Sequence, residues 1–189
     1  MSRRRFPLIA SLVALAACSQ SQDAEQTGNA PLAADNVAAA AESVPLLDGS
    51  GKEIGRVEIG EDANGVTLRL AANGISAGTH GVHLHTIGRC DGPKFESAGG
   101  HWNPENRQHG RDNPEGAHLG DLANISAGSD EATTVFLVGG VSRTGPGNAL
   151  GDADGTSLVI HADADDYKTD PSGNSGGRIA CAVLAAPTS

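Results

Sequence analysis

Aromatic residues make up only 3% of the 189-residue chain, with one Trp, one Tyr and three Phe. That scarcity leaves no stacking platform for nucleobases. Basic residues are also few: 13 Lys+Arg face 23 Asp+Glu, a formal charge of −10 with histidine neutral. Binding a phosphate backbone through net charge needs the opposite sign, so nucleic acid is excluded on that ground. Cysteine occurs only at positions 18, 90 and 181. The length suits one ordinary domain whose core does not depend on many disulfides. Glycine (26) and proline (9) are well represented, which points to turns and loops rather than long helices.

Residues 1–18 read MSRRRFPLIASLVALAAC. Three arginines precede an apolar stretch, residues 6–17, that falls short of the roughly 20 residues a bilayer span requires. This is the layout of an export signal. Its end, Leu15-Ala16-Ala17-Cys18, resembles the bacterial lipobox, which implies a lipidated Cys18 anchoring the chain to a membrane at the periplasm-facing side of the cell envelope. The alternatives are a plain signal with an incidental cysteine, or a twin-arginine signal from which Pro7 departs. Cleavage before Cys18 would remove three arginines and leave 10 Lys+Arg against 23 acids, or −13. Residues 19–43 are rich in Ala, Gln, Asn, Ser and Asp with little apolar periodicity, and read as a flexible tether.

From 44 to 189 the chain reads as a single all-β domain. Short β-compatible runs at 44–47, 53–59, 80–86, 121–126, 133–138, 156–161 and 177–184 alternate with turn residues. Between them, Val66, Leu68 and Leu70 alternate with Thr67, Arg69 and Ala71, a strand with one buried face. Asn64-Gly65 is a hairpin signal. Eight short strands predict a closed or sandwiched antiparallel sheet. Two long connections, at about 88–120 and 162–176, are long enough to be functional. Cys90 and Cys181 fall in this exported domain, either as one disulfide or as two free thiols.

All seven histidines lie between positions 80 and 161. His83 and His85 are two apart on an expected strand, so alternation puts both imidazoles on one face and Val82 and Leu84 on the other. Imidazole suits copper and zinc. His101, His109, His118 and Asp121 follow at gaps of 8, 9 and 3. Three nitrogens and a carboxylate oxygen form a plausible closed tetrahedral zinc set. His161 ends the late strand, where it could meet His83 and His85 across the sheet; spacing alone does not establish that pairing.

These stretches also carry a resemblance. Gly78-Thr79-His80-Gly81-Val82-His83-Leu84-His85 and Gly176-Gly177-Arg178-Ile179-Ala180-Cys181-Ala182 resemble the two signatures of the copper/zinc superoxide dismutase family. Ser97-Ala98-Gly99-Gly100-His101-Trp102-Asn103-Pro104 and His118-Leu119-Gly120-Asp121-Leu122 match family patterns between them. The resemblance implies an eight-stranded antiparallel Greek-key barrel with two long functional loops. It implies copper held by His83, His85, His101 and His161, and zinc held by His101, His109, His118 and Asp121, with His101 bridging as an imidazolate. It further implies a Cys90–Cys181 disulfide, Arg178 holding the anionic substrate, and Asp165 linking a ligand of each metal. His80 matches a structural histidine rather than a ligand.

The implied activity is dismutation of superoxide to dioxygen and hydrogen peroxide by a copper redox cycle beside a structural zinc. In that cycle His101 takes up a proton, and the activity protects the cell envelope from extracytoplasmic superoxide. A negatively charged protein should repel an anion at long range. Local fields can outweigh net charge, however, and superoxide dismutases themselves exemplify such focusing. The rival reading is a non-catalytic copper/zinc-binding module on the same fold. A zinc hydrolase would need an open coordination position, which the full zinc set does not offer. The stretch 91–100 is longer, and the segment from His161 to Arg178 shorter, than in short eukaryotic forms; both shape the site entrance. The sequence leaves the oligomeric state open, a homodimer being one alternative.

Overall fold

A computed structural model describes residues 42–188. The expected signal at 1–18, its Cys18 and nearly all of the 19–43 tether lie outside the described residues. No helix among the described residues is long and apolar enough to cross a membrane.

The described chain is all-β apart from one short 3₁₀ turn, Glu96–Ala98. Its strands are β1 (Glu42–Asp48), β2 (Glu53–Asp62), β3 (Gly65–Asn73), β4 (Gly78–His80), β5 (Val82–His85), β6 (Ile125–Ala127), β7 (Glu131–Gly139), β8 (Thr156–His161) and β9 (Arg178–Ala185). Seven of them form one antiparallel sheet in the order β5-β8-β9-β1-β2-β3-β7, and β4 pairs with β6 in a small second sheet. β4 runs into β5 through Gly81, and β6 leads into β7, so the small sheet joins the two edges of the large one. Strands distant in sequence thus lie side by side, as the Greek-key barrel expectation requires.

The strand pattern follows from side-chain alternation. Along β3, Val66, Leu68, Leu70 and Ala72 are buried while Arg69, Ala71 and Asn73 are exposed. On β7, Ala132, Phe136 and Val138 face the same core. The β2–β3 hairpin closes with Asp62 opposite Gly65 around a two-residue loop, Ala63-Asn64. Gly65 has φ 136°, and a Cβ there would collide with the Val138 carbonyl of β7, which explains the glycine.

β8 departs from this alternation because all six of its residues are buried. Leu158 and Ile160 face the main core, while Val159 packs with Phe95, Ala98 and Cys181 in a separate cluster. The long loop after β5 therefore covers the outer face of β8. Cys90 and Cys181 form a disulfide, with Cα atoms 5.7 Å apart, tying that loop to β9.

Two expected elements come out differently. The run 80–86 is split at Gly81, whose N–H donates to the Asp163 carbonyl and whose carbonyl accepts from His161 N–H. Nine strands result instead of eight. The run 121–126 yields a strand only from Ile125 onward. Its first residues turn their side chains to other tasks, described next.

Candidate metal centre

β5 supplies the first two candidate ligands, His83 and His85. Val82 and Leu84 enter the main core, while His83 and His85 are turned together to the opposite face. Register with β8, Val82 opposite Ile160 and Leu84 opposite Leu158, brings His161 at the end of β8 to the same place. His101 arrives from the loop, locked by an antiparallel bridge to His85. The ligand atoms of His83, His85, His101 and His161 lie within 4.8 Å of one another.

One nitrogen of each ring is engaged. His83 Nε2 lies 2.9 Å from Asp165 Oδ2 and His85 Nδ1 lies 3.0 Å from Gly99 O. His161 Nδ1 lies 3.2 Å from Gly176 O, and His101 Nδ1 lies 3.0 Å from Asp121 Oδ1. The other nitrogen of each, His83 Nδ1, His85 Nε2, His101 Nε2 and His161 Nε2, is buried without a hydrogen-bond partner. Four unpartnered acceptors in one buried spot cost several kcal/mol as bare polar atoms. They fit an ion at their centre, and the outer contacts orient each ring for it.

Burial foremost pushes the imidazoles to their neutral form: His85 falls to about 2, His161 to about 3 and His101 to about 4. Neutral imidazole is the metal-binding species.

A second convergence lies beside the first. Nδ1 of His101, His109 and His118 lie 3.0, 3.0 and 3.1 Å from the single oxygen Asp121 Oδ1. That oxygen has about two lone-pair sites, fewer than the three nitrogens around it. An ion with bonds of about 2.0–2.1 Å in a tetrahedron would have ligand–ligand edges of about 3.3 Å, close to these spacings. Asp121 Oδ2 is held by the backbone N–H groups of Gly110 (2.9 Å) and His118 (3.0 Å), which aims Oδ1 at the rings. His83, His101, His109 and Asp121 also have ligand atoms within 4.8 Å. His83, however, gives its Nε2 to Asp165 and its free Nδ1 to the first set, so His118 is the better fourth member.

The carboxylate of Asp165 spans the two sets: Oδ2 meets His83 and Oδ1 lies 3.0 Å from His109 Nε2. Burial would raise the Asp165 carboxyl, but hydrogen bonds to His109 and His83 hold it below the usual range. Asp121 is likewise raised by burial and brought well below that range by His101 and His109. Burial would lower His109, yet Asp121 and Asp165 lift it to about 9.

A cavity of about 270 Å³ opens onto the first set, lined by His85, His101, His161, Pro171, Ser172 and Arg178. The Arg178 guanidinium donates through Nη1 to Phe95 O and through Nη2 to Gly99 O, both at 2.6 Å. His80 stands apart from both sets, its ring nitrogens 2.8 Å from His161 O and 2.9 Å from Ser76 O. The sequence reading missed Asn124 and Tyr167, which grip Asp165, and the Phe95 and Gly99 carbonyls, which grip Arg178. Asn124 sat in an expected strand, and a backbone acceptor leaves no trace in residue type.

The sequence matches the family described as copper/zinc superoxide dismutase (SODC) over residues 53–184. The "Superoxide dismutase-like protein YojM" of Bacillus subtilis (strain 168) is 36% identical over 189 residues, covering 97% of this chain and 96% of that protein. A copper/zinc superoxide dismutase of Caulobacter vibrioides is 44% identical over 140 residues, 72% of this chain and 80% of the relative. Among solved structures, a double mutant of a superoxide dismutase-like protein from Bacillus subtilis superposes with TM-score 0.73 at 41% identity, over 76% of this chain and 96% of that one. Fold, side-chain convergence and similarity agree: the chain belongs to the copper/zinc superoxide dismutase family.

Proposed function

We propose that this protein dismutes superoxide to dioxygen and hydrogen peroxide at the cell envelope. Copper would be held by His83, His85, His101 and His161, and zinc by His101, His109, His118 and Asp121. The observation that carries the reading is the set of four buried, unpartnered imidazole nitrogens at a cavity that also presents Arg178. Bound copper would supply the one-electron acceptor and donor that dismutation needs, and zinc, which has no redox chemistry, would add charge and fixed geometry.

The chain's own residues do the rest. Arg178 attracts the monoanion and holds it beside His85, His101 and His161. Its fork is already engaged by two carbonyls, so little freedom is lost when substrate arrives. His101 faces both sets, with Nδ1 toward Asp121 and Nε2 toward the cavity side. From Nε2 it can deliver one of the two protons consumed when two superoxide ions yield one dioxygen and one hydrogen peroxide. Asp165, by fixing His83 and His109 together, keeps the two sets in register.

The disulfide and the bacterial relatives support a location outside the cytoplasm. Attachment through a lipidated Cys18 extends that reading to the membrane surface. A second reading, a non-catalytic copper/zinc-binding module, is favoured by the name of the Bacillus subtilis relative, which is called superoxide dismutase-like. Purified protein of measured copper and zinc content, assayed for superoxide removal, separates the two. Turnover that scales with copper occupancy supports the enzyme, and full copper occupancy without turnover supports the module.

A further inference from the structure

Arg178 is aimed by two main-chain carbonyls, and among the described residues it forms no salt bridge. Its two carbonyl acceptors, Phe95 O and Gly99 O, flank the 3₁₀ turn Glu96–Ala98. The turn thus spaces two oxygens to match the two ends of one guanidinium. Gly99 O also faces His85 Nδ1, so one carbonyl orients both the arginine and a copper-site imidazole. The position of this turn therefore sets where the positive charge sits relative to the cavity.

Within residues 91–100 only Phe95 and Ala98 are buried. Phe95 is 1% exposed and packs with Ala98, Val159 and Cys181 against the outer face of β8 and β9, with Cys90 alongside. Its backbone lies in the left-handed region, φ 55°, which is unfavourable for a bulky residue unless packing holds it there. The disulfide fixes the start of the loop at Cys90, and the Phe95 ring fixes its middle.

We propose that Phe95 is a positioning residue for Arg178: its buried ring pins the turn whose carbonyls hold the guanidinium over the cavity. The inference rests on the reading of that cavity as an anion site, but the arginine's anchoring can be measured apart from it. Exchange of the Arg178 guanidinium protons, followed by nitrogen-resolved NMR in zinc-loaded, copper-free protein, reports the anchoring directly. Phe95→Ala should speed that exchange roughly tenfold, as expected for loss of a hydrogen bond to a charged group, and Phe95→Leu should restore most of the protection. In copper-loaded protein, Phe95→Ala should weaken binding of azide, a small monoanion probe, by a similar factor. The same substitution made in an Arg178→Ala background should then add less than about a twofold further loss.

Arg178 exchange that stays slow in Phe95→Ala overturns the proposal, as does an equal loss of azide binding in both backgrounds. If Phe95→Ala does not accumulate as folded protein, Phe95→Val carries the same test: its smaller side chain should give faster exchange than Phe95→Leu, and exchange no faster than in Phe95→Leu overturns the proposal. A wild-type protein that binds both metals without removing superoxide would defeat the enzymatic reading, while the exchange measurement still decides the role of Phe95.

Discussion

Asn124 clasps the main chain of Asp165 from both sides: its Oδ1 accepts the Asp165 N–H at 2.9 Å and its Nδ2 donates to the Asp165 carbonyl at 2.9 Å. The carboxylate so placed reaches His83 and His109, one from each proposed metal set. Tyr167 completes the grip, its N–H donating to Asp165 Oδ1 at 2.6 Å and its hydroxyl accepting from Asn124 N–H at 2.7 Å.

An amide offers one acceptor oxygen where a carboxylate offers two. Asp165→Asn should therefore weaken both copper and zinc binding, each by about 10–100-fold, the usual effect of losing an outer-shell partner. Asn124→Ala should act in the same direction with a smaller loss. Competition against chelators of known affinity measures both. A change confined to one metal would show that the carboxylate does not couple the two sets.

The metal-free protein should have a bell-shaped dependence of stability on pH. His85, His101 and His161 are held by burial foremost at about 2, 4 and 3, against 6.5 when unfolded. From pH 4 to 6.5 the unfolded chain binds their protons and the folded chain does not, so stability rises with pH across that window. His109 works the other way: lifted to about 9, its contribution is full below 6.5 and is lost as pH rises through about 9. The depressed carboxyls Asp121 and Asp165 contribute above 3.8 and lose that contribution as pH falls through their lower folded values. The melting temperature of chelator-stripped protein should peak near pH 6.5 and fall more steeply toward acid, where three groups act together. Calorimetry between pH 4 and 9 checks it, and a monotonic curve would contradict it.

Replacing both Cys90 and Cys181 with serine opens a closure of 91 residues. On chain-entropy grounds this should lower the unfolding free energy by about 4–5 kcal/mol. Urea denaturation of the metal-free protein, compared with the disulfide-intact form, measures the loss, and coincident midpoints would rule out a stabilising cross-link.

Arg178→Ala should leave copper and zinc content unchanged and lower kcat/KM for superoxide by about 10–150-fold at low ionic strength, the equivalent of the 1.5–3 kcal/mol of a charged hydrogen bond. The gap should narrow as salt rises, because screening over a Debye length of about 8 Å at physiological strength weakens what the arginine contributes. Steady-state rates across a salt series give the answer. Equal activity of variant and parent at low salt would remove the anion-guiding role.

Much of this architecture is legible in residue order. Alternation at Val66, Leu68 and Leu70 identifies β3, and the His83–His85 spacing places two imidazoles on one face of β5, because a strand repeats every two residues. The gaps among His101, His109, His118 and Asp121 mark a loop able to wrap a small centre. What residue order does not carry is register between distant strands. His161 meets His83 only because Leu158 lies opposite Leu84, a pairing settled by packing of the whole barrel. The break at Gly81 arises from main-chain bonds to Asp163 and His161. The shortened run before Ile125 reflects Asp121 and Asn124 turning to the imidazoles and to Asp165. The acceptors of Arg178 are carbonyls, which every residue type possesses.

The two imidazole sets differ in how much chain must come together to make them. Twenty positions separate His101 from Asp121, whereas 78 separate His83 from His161. Closing the longer span costs roughly 1 kcal/mol more in chain freedom, and it also demands that β5 and β8 be paired. The members of the smaller set, His101, His109, His118 and Asp121, thus all come from a single stretch of polypeptide. On the proposed zinc assignment all four ligands precede β6 in the chain, so none of them depends on the later pairing of β5 with β8.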